Sequence, residues 1–148
     1  MDDFDKALLR LVQRDARLTH DALAEKVSLS PSAVRRRLKV LRESGVIERD
    51  VSLLDPSALG VTVIVQVRFD KESHDTYRAF KQQMLSLPQI VQCYSVTGDV
   101  DFILVGHFPS LEAYDLFVEE HLLSNDALAR STTNVVTGRI KFETAVPV

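Results

Sequence analysis

Residues 19–45 read Thr19-His-Asp-Ala-Leu-Ala-Glu-Lys-Val-Ser28-Leu-Ser30-Pro31-Ser-Ala-Val-Arg35-Arg36-Arg37-Leu-Lys-Val-Leu-Arg-Glu-Ser-Gly45, two short helical patterns joined by a tight turn. The ends of the second pattern are spelled out. Ser30 suits an N-cap, Pro31 suits the first helical position where a missing N–H costs nothing, and Gly45 is a natural stop just past the end. Two helices so joined form a helix-turn-helix, a motif that places its second helix in the major groove of DNA.

On a projection at about 100° per residue, Val34, Leu38 and Leu41 form one narrow apolar stripe. Ser32, Arg35, Arg36, Lys39 and Arg42 fall on the opposite side, with Arg37 at the border. A basic helix face is ordinarily only a solvated surface. Here five cations stand against the single acid Glu43, and cations on a groove-facing helix neutralise phosphates and release counterions. Ser30, Ser32, Arg35 and Arg36 lie nearest the N-terminal turns that meet base edges. Arg37, Lys39 and Arg42 complete the candidate DNA-binding set.

Upstream, Phe4, Ala7, Leu8, Leu11 and Val12 recur at helical spacing, which predicts a first helix from Asp3 to about Asp15. Thr19 can cap the next, with Leu23, Ala24 and Val27 facing inward. Val46-Ile47 adds a short extended segment, so residues 1–50 are expected to form a winged or near-winged helix-turn-helix domain.

Charge marks the seam in this 148-residue chain. Residues 1–50 carry 11 Lys and Arg against 9 Asp and Glu, whereas the remaining 98 carry 7 against 12, so net +2 and net −5 make up the overall −3. An overall acidic chain conceals a basic N-terminal module. Cys93 is the only cysteine, which excludes an intrachain disulfide and a Cys metal cluster; it is expected as a small apolar residue inside a strand. With no signal peptide and no apolar run near the roughly 20 residues that span a bilayer, a cytoplasmic protein without membrane contact is expected.

The period changes in the second half. Asp55-Pro56-Ser57 and Gly60 break the chain, so residues 51–60 read as a connector strand and hinge. Val61, Val63, Val65, Val67 and Phe69 then alternate with Thr62, Ile64, Gln66 and Arg68, the pattern of a strand with one strongly apolar face. Tyr77, Phe80, Met84 and Leu87 return at helical spacing. Val91 to Val96 and Asp101 to Phe108 form a hairpin around Thr97-Gly98-Asp99. Ser110 caps another helix carrying Leu111, Tyr114, Val118, His121 and Leu122 on one face, and Arg130 to Glu143 reads as one or two final strands. The order predicts an α+β chain whose residues 61–148 form a ferredoxin-like βαββαβ domain. Val63 beside Ile64 and Ile103 beside Leu104 make strands apolar on both sides; two-fold pairing with a second chain would cover the outer side, which predicts a homo-oligomer, a dimer at least.

These features together resemble the Lrp/AsnC family of bacterial and archaeal transcription regulators over essentially the whole chain. The resemblance rests on Asp2 and Asp5 with Leu8-Leu9, on Arg17-Leu18-Thr19, on Leu29-Ser30-Pro31, on Arg37 with Leu41 and Gly45-Val46-Ile47, and on residues 97–104, Thr-Gly-Asp-Val-Asp-Phe-Ile-Leu. It implies an N-terminal domain that binds double-stranded DNA, and a ferredoxin-like domain that forms dimers, often assembles to octamers, and binds a small effector, commonly an amino acid. Ser28 departs from the glycine common in the turn, and Glu48-Arg49-Asp50 replaces the usual Gly and aromatic residue.

The same resemblance places the effector at the Gly98, Asp99 and Asp101 hairpin, between dimers. A Gly-containing turn exposes N–H groups to a carboxylate while an Asp receives an ammonium, a pairing suited to a zwitterion. The competing reading is that Gly98 supplies a positive φ and the two acids bond their own backbone. Thr97 belongs to the turn, and Ser131, Thr132 and Thr133 offer hydroxyls from a neighbouring subunit or merely favour a strand; Thr97, Gly98, Asp99, Asp101, Ser131 and Thr133 are the candidate effector residues. His20, His74, His107 and His121 are scattered without metal-ligand spacing. No cofactor motif, nucleophile arrangement or phosphate loop marks an enzyme. Two alternatives remain: a siroheme-decarboxylase-like enzyme, which shares this architecture by resemblance but needs no cationic helix face, and an architectural DNA-binding protein without an effector.

Overall fold

The computed structural model describes residues 1–71 and 73–148. They form two compact units, one of Met1–Leu53 with Ile140–Val148, the other of Leu54–Arg139. Among the described residues no helix is long and apolar enough to cross a membrane.

In the first unit, α1 (Asp3–Val12), α2 (His20–Val27) and α3 (Pro31–Glu43) each open on a side chain that accepts a backbone N–H. Asp2 accepts from Asp5, Thr19 from Ala22 and Ser30 from Ala33, satisfying donors the first turn leaves unpaired, each typically for about 1 kcal/mol. Helix α1 stops earlier than expected, because Asp15 takes the Arg17 amide into a local turn. Helix α3 stops where Gly45 enters the left-handed region at φ +77°, as its sequence requires. The shared core is Leu8, Leu9, Leu23, Ala24, Val27, Val34, Leu38 and Leu41, with Ile47 and Val148 packed at its margin. Residues 51–54, expected as a connector strand, form no strand, since a strand needs a partner and the single chain supplies none there.

The second unit is a four-stranded antiparallel sheet in the order β2-β3-β1-β4, built from β1 (Val61–Phe69), β2 (Ile90–Ser95), β3 (Phe102–Phe108) and β4 (Leu128–Val135). Helices α4 (His74–Ser86) and α5 (Leu111–Phe117) both pack on one side, and α5 continues through Val118–Leu123 in wider π-type turns. This is the expected ferredoxin-like arrangement. Period-2 alternation turns Val63, Val65, Val67 and Phe69 inward to meet Phe80, Met84, Tyr114 and Phe117. Phe69, Tyr77, Phe80 and Phe102 form an aromatic knot with centroids 4.9–5.9 Å apart. Register places Thr62, Ile64, Gln66 and Arg68 on the opposite side with Ile103, Val105 and His107. Ile64 is 36% exposed there. Cys93 lies in β2, as expected, and is exposed there.

The final strand ends sooner than its composition suggests. The Val136 amide bonds the Thr62 carbonyl, and β1 offers only Val61 beyond, so the chain runs out of a partner to pair with. Residues 140–148, read from the sequence as part of the second domain, instead belong to the helical unit. Gln13 binds Val146 reciprocally, donating Nε2 to its carbonyl at 3.0 Å and accepting its amide at 2.9 Å, and Arg10 Nε donates to the Val148 carbonyl at 2.9 Å.

Candidate functional site

Helix α3 buries Val34, Leu38 and Leu41 and exposes Ser32, Arg35, Arg36, Lys39 and Arg42. The amphipathic pattern alone sets that division, since the apolar stripe must join the three-helix core. Arg35 and Arg36 have no side-chain partner among the described residues. Lys39 lies 3.6 Å from Glu43, an exposed pair of a few tenths of a kcal/mol at most. Arg42 donates Nε and Nη2 to Asp50 Oδ2 at 3.2 and 3.0 Å, so one residue of the divergent Glu48-Arg49-Asp50 segment holds it. The Ser30 hydroxyl caps the helix and sits 3.1 Å from that of Ser32.

Arg37 is held apart from this face. Its side chain is only 25% exposed, and Nη1 donates at 2.8 Å to both Asp2 Oδ2 and Asp5 Oδ1. The guanidinium carbon lies 5.4 Å over the Phe4 ring. Hydrogen bonds to Asp5 and Asp2 raise the already high pKa of Arg37; the Asp5 amide, then Arg37, holds the Asp2 carboxyl below its ordinary value. The expected role of Arg37 at DNA therefore meets a side chain already engaged by two carboxylates.

At the hairpin, Thr97, Gly98 and Asp99 are exposed, Gly98 at φ +124°. Asp99 has no partner among the described residues. Asp101 is engaged within the chain: Oδ2 accepts the Phe69 amide at 2.7 Å, and Oδ1 accepts the Tyr77 hydroxyl. Its own amide donates to the Val67 carbonyl at 2.9 Å. Ser131 pairs with Val67 from the other side of β1, so the sheet register brings Ser131 and Asp101 to the same level. Thr133 is exposed, yet its hydroxyl meets that of Tyr114, and burial pushes the Tyr114 pKa up against the opposing effect of that bond. Exposed hairpin atoms and Ser131 remain open to a ligand, while Asp101 and Thr133 have partners of their own. The sequence reading missed Tyr77 and Tyr114 as those partners. Both stood in apolar stripes, and the signal was available in that a buried tyrosine hydroxyl needs a partner.

Comparison with known proteins bears on both units. A family model described as the Lrp/AsnC ligand binding domain matches residues 62–146, and one described as winged helix-turn-helix DNA-binding matches residues 1–48. An HTH-type transcriptional regulator of Sinorhizobium fredii, y4tD, is 43% identical over 150 residues, covering 100% of this chain and 89% of the relative. Among solved structures, a transcriptional regulator of Neisseria meningitidis in complex with L-Met superposes with a TM-score of 0.91 at 31% identity, over 99% of this chain and 96% of that one. An AsnC family transcriptional regulator from Agrobacterium tumefaciens gives 0.90 at 34% identity, over 99% and 97%.

Proposed function

The chain belongs to the Lrp/AsnC family of transcriptional regulators, not enzymes, and on that premise we propose that it reads operator DNA through the outer face of α3 and adjusts that reading to a cellular amino acid. The observation that carries the first half is the unpartnered pair Arg35 and Arg36 on a capped, exposed helix. These two, with Ser32, meet base edges from the N-terminal half of α3, while Lys39 and Arg42 contact phosphates. The cell compartment that fits this work is the cytoplasm.

The effector reading rests on loop chemistry. Exposed N–H groups around Gly98 suit a carboxylate and the open carboxylate of Asp99 suits an ammonium, while Asp101, fixed by Phe69 and Tyr77, holds the loop in place. The L-Met complex of the Neisseria regulator supports an amino acid as the class. Ser131 contributes a hydroxyl from β4, level with the loop but across β1 from it. Chains pair through the side of the sheet that carries Ile64, Ile103 and Val105, giving at least a dimer and hence two recognition helices.

Arg35→Ala and Arg36→Ala should each weaken binding to a selected operator by about 1–3 kcal/mol and relax its sequence preference. Gel-shift titrations at several salt concentrations measure this, and wild-type affinity in both variants would refute the reading face. Thermal shift against the twenty amino acids tests the effector, since an occupied site at a hundredfold excess over Kd stabilises by about 2.7 kcal/mol. Twenty flat curves would leave a DNA-binding protein without an amino-acid effector.

A further inference from the structure

The N-terminus of α1 and the middle of α3 are joined by a closed ring of four hydrogen bonds. Asp2 Oδ1 accepts the Asp5 amide at 2.9 Å and Asp5 Oδ2 accepts the Asp2 amide at 3.0 Å, a reciprocal capping box. Each carboxylate has one oxygen left over, and Arg37 Nη1 donates to both at 2.8 Å. An ordinary capping box ends α1 and nothing more. This one, with aspartate at both positions, doubles as a two-carboxylate receptor for the recognition helix.

The arginine is committed to that receptor by its surroundings. Phe4 lies under its guanidinium, and Nε is sealed from solvent without a hydrogen-bond partner. Leaving the ring to reach a phosphate would strand two carboxylates beside the DNA-facing helix. Leu38, next in sequence, is a buried residue of the three-helix core, so a guanidinium fixed at position 37 fixes the rotation of α3 about its own axis. That rotation decides where Arg35 and Arg36 point.

We propose that Arg37 is a positioning residue for DNA recognition: clasped by the Asp2–Asp5 capping box, it sets the orientation of α3 and touches no phosphate. Electrostatics gives the proposal a sign that the phosphate-contact reading does not share. Asn at positions 2 and 5 keeps the side-chain carbonyls that cap α1 but removes the two negative charges. Deleting acids near a DNA-binding face raises affinity by simple charge balance; deleting the clasp lowers it.

The test uses the full-length chain, the variants D2N/D5N, R37A, R37K and K39A, and a duplex selected from a random pool by the wild-type protein. Affinity is followed as a function of salt concentration. D2N/D5N is expected to bind roughly three- to tenfold more weakly with an unchanged salt slope, whereas K39A, which removes a phosphate contact, lowers the slope by about one. R37A should match D2N/D5N in slope and in loss. R37K should fail to rescue, because an ammonium is a point charge without the flat guanidinium face that lies over the Phe4 ring while Nη1 reaches both carboxylates. Unchanged or tighter binding in D2N/D5N, a slope reduced by about one in R37A, or full rescue by R37K overturns the proposal.

Discussion

The outward face of α3 and the outward side of the β-sheet are both left uncovered by a single chain, yet they differ in kind. Helix α3 places every member of its apolar stripe in the core and turns Arg35, Arg36, Lys39 and Arg42 to solvent. Its exposed surface is satisfied in water and becomes useful only against a polyanion. The sheet buries Val63, Val65, Val67, Phe102 and Leu104 beneath its helices but leaves Ile64, Ile103 and Val105 on the other side. That surface gains by being covered with one like itself. Charge directed outward names a different partner class from apolar surface directed outward, and this chain keeps the two on separate units with separate cores.

The strongest attempt to break that comparison is to ask whether the cores are independent. Phe102 is fully buried at the centre of the aromatic knot, so Phe102→Ala should destabilise the second unit by about 3–5 kcal/mol through lost transfer energy and a residual cavity. Amide protection in α1, α2 and α3 should stay at its wild-type level, because none of their core residues belongs to that cluster. Hydrogen exchange resolves the two responses. An equal fall in the three helices would mean that one cooperative core serves both faces.

A second attempt addresses the sheet directly. Ile64→Lys together with Ile103→Lys should cost little in an isolated chain, because the lysines reach water. Within a chain-to-chain interface, the same two charges would be desolvated without partners, at upward of about 3 kcal/mol. Light scattering should then show wild-type chains as dimers or larger and the double variant as monomers with native secondary structure. A wild-type monomer at micromolar concentration would remove the reason given for the apolar outer side.

The hairpin sharpens the contrast at a smaller scale. Tyr77→Phe removes the hydroxyl that donates to Asp101 and leaves the Phe69 amide as its remaining donor. The expected loss is about 1–2 kcal/mol, felt in the second unit. If Asp101 positions the loop, any amino acid found by thermal shift should bind more weakly to Tyr77→Phe, although Tyr77 faces the core rather than the loop surface. Undiminished binding would separate the Asp101 network from the ligand site.

How far the sequence revealed these features follows the same division. Local chemistry was readable: Thr19, Ser30 and Ser110 stand where caps are needed, and each accepts an amide of its helix's first turn. Period-2 and period-3.6 patterns gave the βαββαβ order because each element has one buried face. What stayed hidden depends on contacts remote in sequence. Arg37 sits at the border of the projection, and only its meeting with Asp2 and Asp5, more than thirty residues upstream, decides its role. Ile140-Lys141-Phe142 alternates like a strand, but strand formation needs an edge, and β1 has none left. Thr133 looked like an open hydroxyl until the helix opposite supplied Tyr114.

The smallest expected effect lies in the turn of the helix-turn-helix. Ser28 is the one non-glycine residue with positive φ among the described residues, at φ +55° and ψ +45°. A side chain in the left-handed region costs roughly 1–2 kcal/mol against the right-handed one. Replacing it with glycine relieves that strain, but gives the unfolded chain about 0.4–1 kcal/mol more conformational entropy to lose. The difference favours Ser28→Gly by roughly 0.5–1 kcal/mol, a rise of a few degrees in the melting temperature of a unit this small. Operator affinity should not change, because Ser28 precedes the α3 cap and its backbone geometry is already the one glycine prefers. Calorimetry with gel-shift titration tests both halves. A lower melting temperature would mean that the Ser28 side chain contributes more to the turn than its backbone strain removes.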